Sequence, residues 1–395
     1  MSKSWLVISS DFQPMLGGVA EFAFQIADSF HSRGLLQTII TTVNQPKKTS
    51  LPIISPHVQL KNSPNTAINF LTKKINSLSF YFLLALAAIM IVKYRKKSYI
   101  LFCFVDDLFT PFLIYLSSLV GANFCVLFHG KEILYLSKKK PDLLNIIYRK
   151  SRKILFNSLA TKNLFCQFTN QDPSNYFILY PGIRFDMLDK LAVEKVEALE
   201  SLPTDSIVIS SVCRLVKRKG IHFAIEAFLN LDLDFAYKNV YFLIAGDGDE
   251  KKELEKLASK RNDKIIFLGS VTDGQKKNLL SRSSIFIMPN YSVNGTDFEG
   301  FGISFTEAAY LGNIVIGGNS GGAIEAVQLC PQGVIVDTDT EKAVPDLTEA
   351  LNKILGFIKI SDQLKSPEIK LGVRNKIDLD TSIDRLICSV NHGSS

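Results

Sequence analysis

The stretch "SIVISSVCRLVKRKG", residues 206–220, changes character at its middle. Its first half is apolar and β-branched; its second half is basic and closes on glycine. A short apolar run ended by a turn reads as a buried strand. Arg214 and Lys219 then stand just past the strand's C-terminal end, the edge at which parallel α/β sheets hold their ligands. Spacing alone leaves two readings of this turn. One is a grip on an anion such as a diphosphate, with a guanidinium fork and an ammonium point charge. The other is a solvated basic turn.

The same strand-then-turn pattern recurs in both directions. Downstream stand "YFLIAGDG", "KIIFLGSV", "SIFIMPN", "NIVIGGNSGG" and "GVIVD". Upstream stand "SWLVISS", "LQTIITTV", "YILFCFVDD", "NFCVLFHG", "KILFNS" and "YFILYPG". Helical patterns separate them: after "SWLVISS" and the turn "DFQPMLGG", Val19, Phe22, Ala23, Ile26, Ala27 and Phe30 recur at helical spacing. Strands alternating with helices specify an α/β protein with parallel sheets. A polar, charged stretch, "DKLAVEKVEALESLPTD" at 189–205, parts the two series and reads as a linker. A chain of 395 residues has room for two to three such domains. The expectation is two similar layered domains, 1–185 and 200–375, facing each other with a ligand in the cleft between them.

Composition narrows the classes. Hydrophobic residues at 47% and charged residues at 21% describe an ordered globular chain. The net charge of +7 leans weakly toward phosphates or acidic lipid headgroups. No aromatic-interleaved basic motif or zinc spacing is present, so no nucleic-acid partner is expected. The six cysteines are scattered without a Cys-x-x-Cys pair, which reads as buried free thiols in a reducing cytosol. Neither they nor the five histidines have metal-ligand spacing.

The N-terminal apolar stretch is too short for a signal peptide. The most membrane-like segment, "LSFYFLLALAAIMIV" at 78–92, is shorter than the ~20 apolar residues of a spanning helix. It reads as a buried helix; the alternative is a helix lying on a membrane surface, helped by its basic flanks.

"DFEGFGISFTEAAYLG", 297–312, sets Glu299 and Glu307 around a glycine turn, with a helix expected from Ser304 onward. Glu299 falls in the loop and Glu307 about one turn into the helix. That placement suits hydroxyl recognition better than the paired carboxylates of a hydrolase. A helix-capping role for Glu299 stays open. Free N–H groups at the helix start would favour an anion. "PMLGGV", 14–19, is neither a dinucleotide fingerprint nor a P-loop, and offers a tight turn or a phosphate contact. His129 in "FHGKE" sits at a strand end, as a structural histidine or a ligand contact. "AGDGD" and "GGNSGG" are further strand-end loops.

Taken in order, "DFQPMLGGVAEF", "FHGKE", "YPGIRFD", "CRLVKRKG", "LIAGDGDEKKELEKLA", "IIFLGSV" and "DFEGFGISFTEAAYLG" resemble glycosyltransferase family 4, the retaining GT-B glycosyltransferases. These segments span most of the chain. The longer loop "NYSVNGTDFEGFG" makes the layout similar to phosphatidylinositol mannoside mannosyltransferases. The resemblance implies the GT-B fold, two Rossmann-like domains facing across a cleft, and a nucleotide-diphosphate sugar as donor. By motif position it implies that Arg214 and Lys219 bind the diphosphate and that Glu307 binds the ribose hydroxyls. Glu299 would hold the hexose, with backbone of Phe301, Gly302 and Ile303 near sugar and phosphate. Gly17 and Gly18 would approach the diphosphate, His129 would line the donor sugar, and Ser270 and Val271 would form the nucleobase pocket. No metal or cofactor is implied, so cations and helix N–H groups must neutralise the leaving group.

Asp249 departs from the proline that the family often has there, and "SVT" after "FLG" does not separate uridine from guanosine donors; the loop favours GDP-mannose slightly. The segment 376–395, with "TSIDRLICSV", resembles the tail helix that packs back on the first domain. "KYRKK", "SKKK" and "RKSRK" all fall in the first half, where such enzymes bind acceptors. They suit a glycan or lipid-linked acceptor at the cytoplasmic face of an anionic membrane, or are solvated surface charge. An inactive sugar-nucleotide-binding or partner-binding subunit, and a GT-B epimerase or phosphorylase, are the rival classes.

Overall fold

The computed structural model describes residues 3–15, 17–43, 50–55, 66–106, 108–293, 299–358 and 367–392. The chain divides into two compact units, the first Met1–Tyr180 with Asp380–Ser395, the second Pro181–Leu379.

The first unit is built on strands β1 (Ser4–Ser9), β2 (Leu36–Thr41), β3 (Ile53–Ile54), β4 (Ser98–Phe102), β5 (Phe124–Phe128), β6 (Lys153–Phe156) and β7 (Tyr176–Ile178). They pair in parallel in the order β3-β2-β1-β4-β5-β6-β7. The order reverses between β1 and β4, which opens a crevice at the strand ends there. Helices α1 (Gly18–Ser32), α2 (Thr66–Tyr94), α3 (Phe109–Leu119), α4 (Lys131–Lys139), α5 (Pro141–Lys150) and α6 (Leu159–Thr169) complete the crossovers. Alternate strand residues divide the core into two layers. Leu6, Ile8, Phe102, Val126, Phe128 and Phe156 pack with α2, α3, α5 and α6. On the opposite face Trp5 stacks on Phe30 of α1 with ring centroids 4.6 Å apart. Burial on both faces explains why these strands are near-continuous apolar runs rather than alternating ones.

Phe22, Ala23, Ile26, Ala27 and Phe30 form the buried stripe of α1, as their spacing predicts. The buried-helix expectation for 78–92 needs correction. Leu83, Ala87 and Ile91 are buried against the sheet, whereas Leu78, Tyr81, Phe82, Ile89 and Val92 are exposed. Apolar composition on both sides of α2 does not mean cover on both sides. The thiol expectation also holds only in part: all six cysteines are free, but Cys388 is exposed and Cys166 and Cys213 are partly so.

Helix Leu379–His392 returns the chain to the first unit. Arg33 at the end of α1 holds it, with Nη1 2.8 Å from Asp380 Oδ1 and Nε 2.8 Å from Asp384 Oδ1. Ser29 donates to Asp380, and Arg152 donates to the Val390 carbonyl.

The second unit has strands β8 (Ile207–Val212), β9 (Val240–Ala245), β10 (Ile265–Gly269), β11 (Ile285–Met288), β12 (Ile314–Gly318) and β13 (Gly333–Val336). Their order is β10-β9-β8-β11-β12-β13, all parallel, with the reversal between β8 and β11. The stretch 189–205, expected as a linker, is strapped onto this unit at its start. Lys277 Nζ donates to the Asp189 and Leu191 carbonyls at 2.9 and 2.8 Å. Thr272 Oγ1 donates to Glu194 at 2.6 Å, and the Tyr310 hydroxyl to Asp189 at 2.8 Å. Its polarity serves these bonds. Among the described residues no helix is long and apolar enough to cross a membrane.

Candidate functional site

The reversal between β8 and β11 brings the basic turn after β8 against the loop after β11. Lys217–Lys219 form one 3₁₀ turn, and Gly220 ends it at φ +65°. A Cβ on Gly220 would lie 2.0 Å from the Pro289 carbonyl oxygen, so only glycine lets the two loops meet. That close approach fixes where Lys219 points. Its Nζ lies 2.6 Å from Glu299 Oε2, and both residues are buried. Asn290 Nδ2 donates to the same oxygen at 3.2 Å, and Arg218 Nε stands 3.7 Å from it. A buried carboxylate is tolerable only when paired and hydrogen-bonded, and here two cations and an amide converge on one oxygen.

This placement decides the capping question. The helix Ile303–Tyr310 starts one residue earlier than expected, its N-cap is Gly302, and no side chain caps it. The Glu299 carboxylate is on Lys219 instead. Phe301 is buried beneath the helix start, while Gly302 and Ile303 are half exposed.

Arg214 has different surroundings. Its side chain is exposed, without an ion pair or hydrogen bond among the described residues. The loop "AGDGD" braces the backbone on which it stands. Leu215 N–H donates to the Asp247 carbonyl at 2.9 Å, and Glu250 N–H to the Leu215 carbonyl at 3.1 Å. Gly246, at φ +134°, would put a Cβ 1.8 Å from the Cys213 carbonyl oxygen. This strand-end loop is therefore a support for the Arg214 turn. Burial also pushes the Cys213 thiol up to about 11, against the pull of Lys219, so it stays protonated.

Glu307 is paired with a residue that no sequence motif marks. Lys276 Nζ lies 2.8 Å from Glu307 Oε1 and 3.6 Å from Asp273. Lys276 belongs to the helix Asp273–Arg282, whose start is locked by a reciprocal capping box between Thr272 and Gln275. Exposed Ser270 and half-buried Val271 lead from β10 into this helix.

In the first unit Gly17 and Gly18 are exposed at the start of α1, with Gly17 as N-cap at φ +150°. His129 is half buried at the end of β5. Its Nε2 lies 2.7 Å from the Cys103 carbonyl oxygen, which can only accept, so Nε2 is the donor. Phe22 meets the imidazole edge-on at 6.1 Å, and the His129 N–H donates to the Glu132 carboxylate. Burial raises the Asp11 carboxyl above its usual range, partly offset by His129.

Sequence reasoning missed Arg218, Asn290, Lys276 and Asp11. Arg218 lies inside the basic motif and Asn290 closes the apolar run of β11, so each had a positional signal. Lys276 had none. Among the described residues no group of three or more His, Cys, Asp or Glu could hold a metal ion.

Residues 194–356 match the family model of glycosyl transferases group 1. The second unit thus carries a group 1 glycosyltransferase domain, and the two parallel-sheet units make up the GT-B fold. One relative is the GDP-mannose-dependent monoacylated alpha-(1-6)-phosphatidylinositol monomannoside mannosyltransferase of Corynebacterium glutamicum. It is 35% identical over 146 residues, covering 37% of this chain and 38% of the relative. The alpha-1,3/1,6-mannosyltransferase ALG2 of Rhizomucor pusillus is 26% identical over 242 residues, 53% of this chain and 50% of the relative. The chain thus matches between about a third and half the length of these curated relatives. Among solved structures, a glycosyltransferase from Rickettsia africae superposes with TM-score 0.71 at 19% identity, covering 99% of this chain and 100% of the other. Anabaena Alr3699/HepE in complex with UDP and glucose gives TM-score 0.68 at 17% identity, with 98% and 99% covered.

Proposed function

We propose that this protein is a retaining glycosyltransferase that moves a hexosyl unit from a nucleotide-diphosphate sugar to a glycan or lipid-linked acceptor in cell-surface polysaccharide or glycolipid synthesis. The convergence of Lys219, Arg218 and Asn290 on Glu299, within a group 1 domain, carries this reading. A cation held in a water-poor site by a carboxylate is suited to the charge that develops on a departing diphosphate. Lys219, with Arg214 from the exposed side, neutralises that charge. Glu299 accepts hydrogen bonds from hexose hydroxyls while keeping Lys219 in place, so one carboxylate serves sugar and cation together. Glu307 accepts from the ribose hydroxyls, and Ser270 and Val271 flank the base. The N–H groups of Phe301, Gly302 and Ile303 approach sugar and phosphate.

The acceptor oxygen attacks the anomeric carbon on the face from which the diphosphate leaves. The carbon–oxygen bond to phosphate breaks, and the departing phosphate oxygen takes the acceptor's proton. The new bond keeps the donor's configuration, and no enzymic nucleophile or metal ion is required. The GDP-mannose dependence in the Corynebacterium relative's name favours GDP-mannose over UDP-sugars.

Calorimetry with UDP, GDP and ADP, each with and without EDTA, tests the reading. Micromolar binding of GDP, unchanged by EDTA, is expected. Preference for UDP overturns the donor assignment, loss of binding in EDTA overturns the metal-free mechanism, and binding of none overturns the donor site.

A further inference from the structure

Helix α2 presents an unusual surface. Its exposed residues Leu78, Tyr81, Phe82, Ile89 and Val92 fall on one stripe, opposite the buried Leu83, Ala87 and Ile91. Both sides of the helix are therefore apolar, the pattern of a helix covered all round, yet one side meets solvent. The neighbouring α3 repeats the feature. It packs beside α2 through Phe80 and Phe109, whose rings lie 5.9 Å apart. Leu108, Phe112, Tyr115 and Leu119, spaced along its outer side, are likewise exposed. Neither exposed stripe carries a charge. Contiguous apolar surface of this kind marks a contact with something apolar.

Charge distinguishes what that something is. From Ser29 to Val105 the sequence holds no Asp or Glu but ten Lys or Arg. Four of these, Lys93, Arg95, Lys96 and Lys97, follow directly on the α2 stripe and are exposed. An apolar stripe with aromatic residues and a purely basic flank complements an anionic bilayer surface. Hydrocarbon side chains enter the headgroup boundary, aromatic rings sit at its level, and lysines meet lipid phosphates. A protein partner would not require acids to be excluded from so long a segment.

We infer that the outer face of α2 and α3, with the basic run 93–97, is a docking surface for the anionic headgroup layer of a membrane, on which the helices lie without crossing it. The inference stands apart from sugar transfer, because it is read without any donor. Flotation of the full chain with vesicles of phosphatidylcholine, with and without phosphatidylglycerol, tests it.

Binding only to the anionic vesicles is expected, weakening as salt rises. Replacing Lys93, Arg95, Lys96 and Lys97 with Gln should weaken it by about a hundredfold or more. The triple variant Phe82→Ser, Ile89→Ser, Phe112→Ser should abolish it while keeping the wild-type thermal melt. Should that variant fail to fold, the wholly exposed Gln variant still decides. Wild-type protein that ignores anionic vesicles, or Gln variants that bind as tightly, would overturn the inference. So would light scattering that shows a dimer which the Ser changes dissolve, since the face would then bind a second copy.

Discussion

Lys219 Nζ and Glu299 Oε2 meet at 2.6 Å although eighty positions separate them in the chain. Their side chains retain only 10% and 11% exposure, so neither charge can be relieved by water if the other is removed. Lys219→Met should cost about 3 kcal/mol of stability, the lower end for losing one partner of a buried pair, because Arg218 and Asn290 remain. Adding Glu299→Gln should recover most of that loss, and urea denaturation of the two variants reads both outcomes. Lys219→Ala should separately lower turnover by about 100-fold or more; unchanged turnover would remove Lys219 from the leaving-group role.

The Glu307 carboxylate faces a different test. Glu307→Ala should weaken binding of the free nucleoside diphosphate by about 10-fold or more, the loss of hydrogen bonds to a charged acceptor. Equal affinity would take Glu307 out of the ribose site. Lys276→Met removes the cation 2.8 Å from it, and a changed affinity there shows that the carboxylate acts as a pair with Lys276.

Gly246→Ala probes the brace beneath Arg214. With φ at +134° and a Cβ placed 1.8 Å from the Cys213 carbonyl oxygen, the loop has to shift. A loss of more than about 2 kcal/mol is expected from strain and displacement together. Diphosphate affinity should fall in the same variant although Gly246 touches no ligand in the proposed scheme. Calorimetry on the folded fraction checks this.

His222 gives the second unit an acid-side weakness. Its ring packs on Phe223 at 4.0 Å and near Tyr291 at 5.6 Å, and burial lowers its pKa below the ordinary 6.5. The unfolded chain therefore takes up the proton first as pH falls. The stability this group contributes is complete above 6.5 and declines from there down to the folded-state pKa. His222→Gln should flatten that decline, as measured by melting temperature from about pH 7.5 to about pH 5.

Strands were the most legible part of the chain. Every apolar run quoted as a strand is one; for the central strands the reason is that a parallel sheet covered on both faces must be apolar on both. The two-residue β3, Ile53–Ile54, escaped notice because so short an edge strand has no room for a pattern. Within the site, Lys219, Glu299 and Glu307 were legible from local motifs. Of their partners, Asn290 had only its place at the end of β11 and Lys276 had no signal, since the fold alone brings them to those carboxylates. The polarity of 189–205 suggested a linker because composition cannot tell a strap bonded to its own unit from a solvated connection. The same limit hid the open side of α2: apolarity reports what a residue prefers, not what covers it.

Arg33 clasps a helix that is synthesised only after the whole second unit. While the ribosome is still translating residues 181–379, the first unit lacks the partner for Ser29, Arg33 and Arg152. Its own strands can assemble by then, but its closure waits. Domains that fold in order of emergence would here finish in reverse, the second before the first. A nascent chain stalled short of Asp380 would expose an unfinished face of α1, the window in which a chaperone has something to hold.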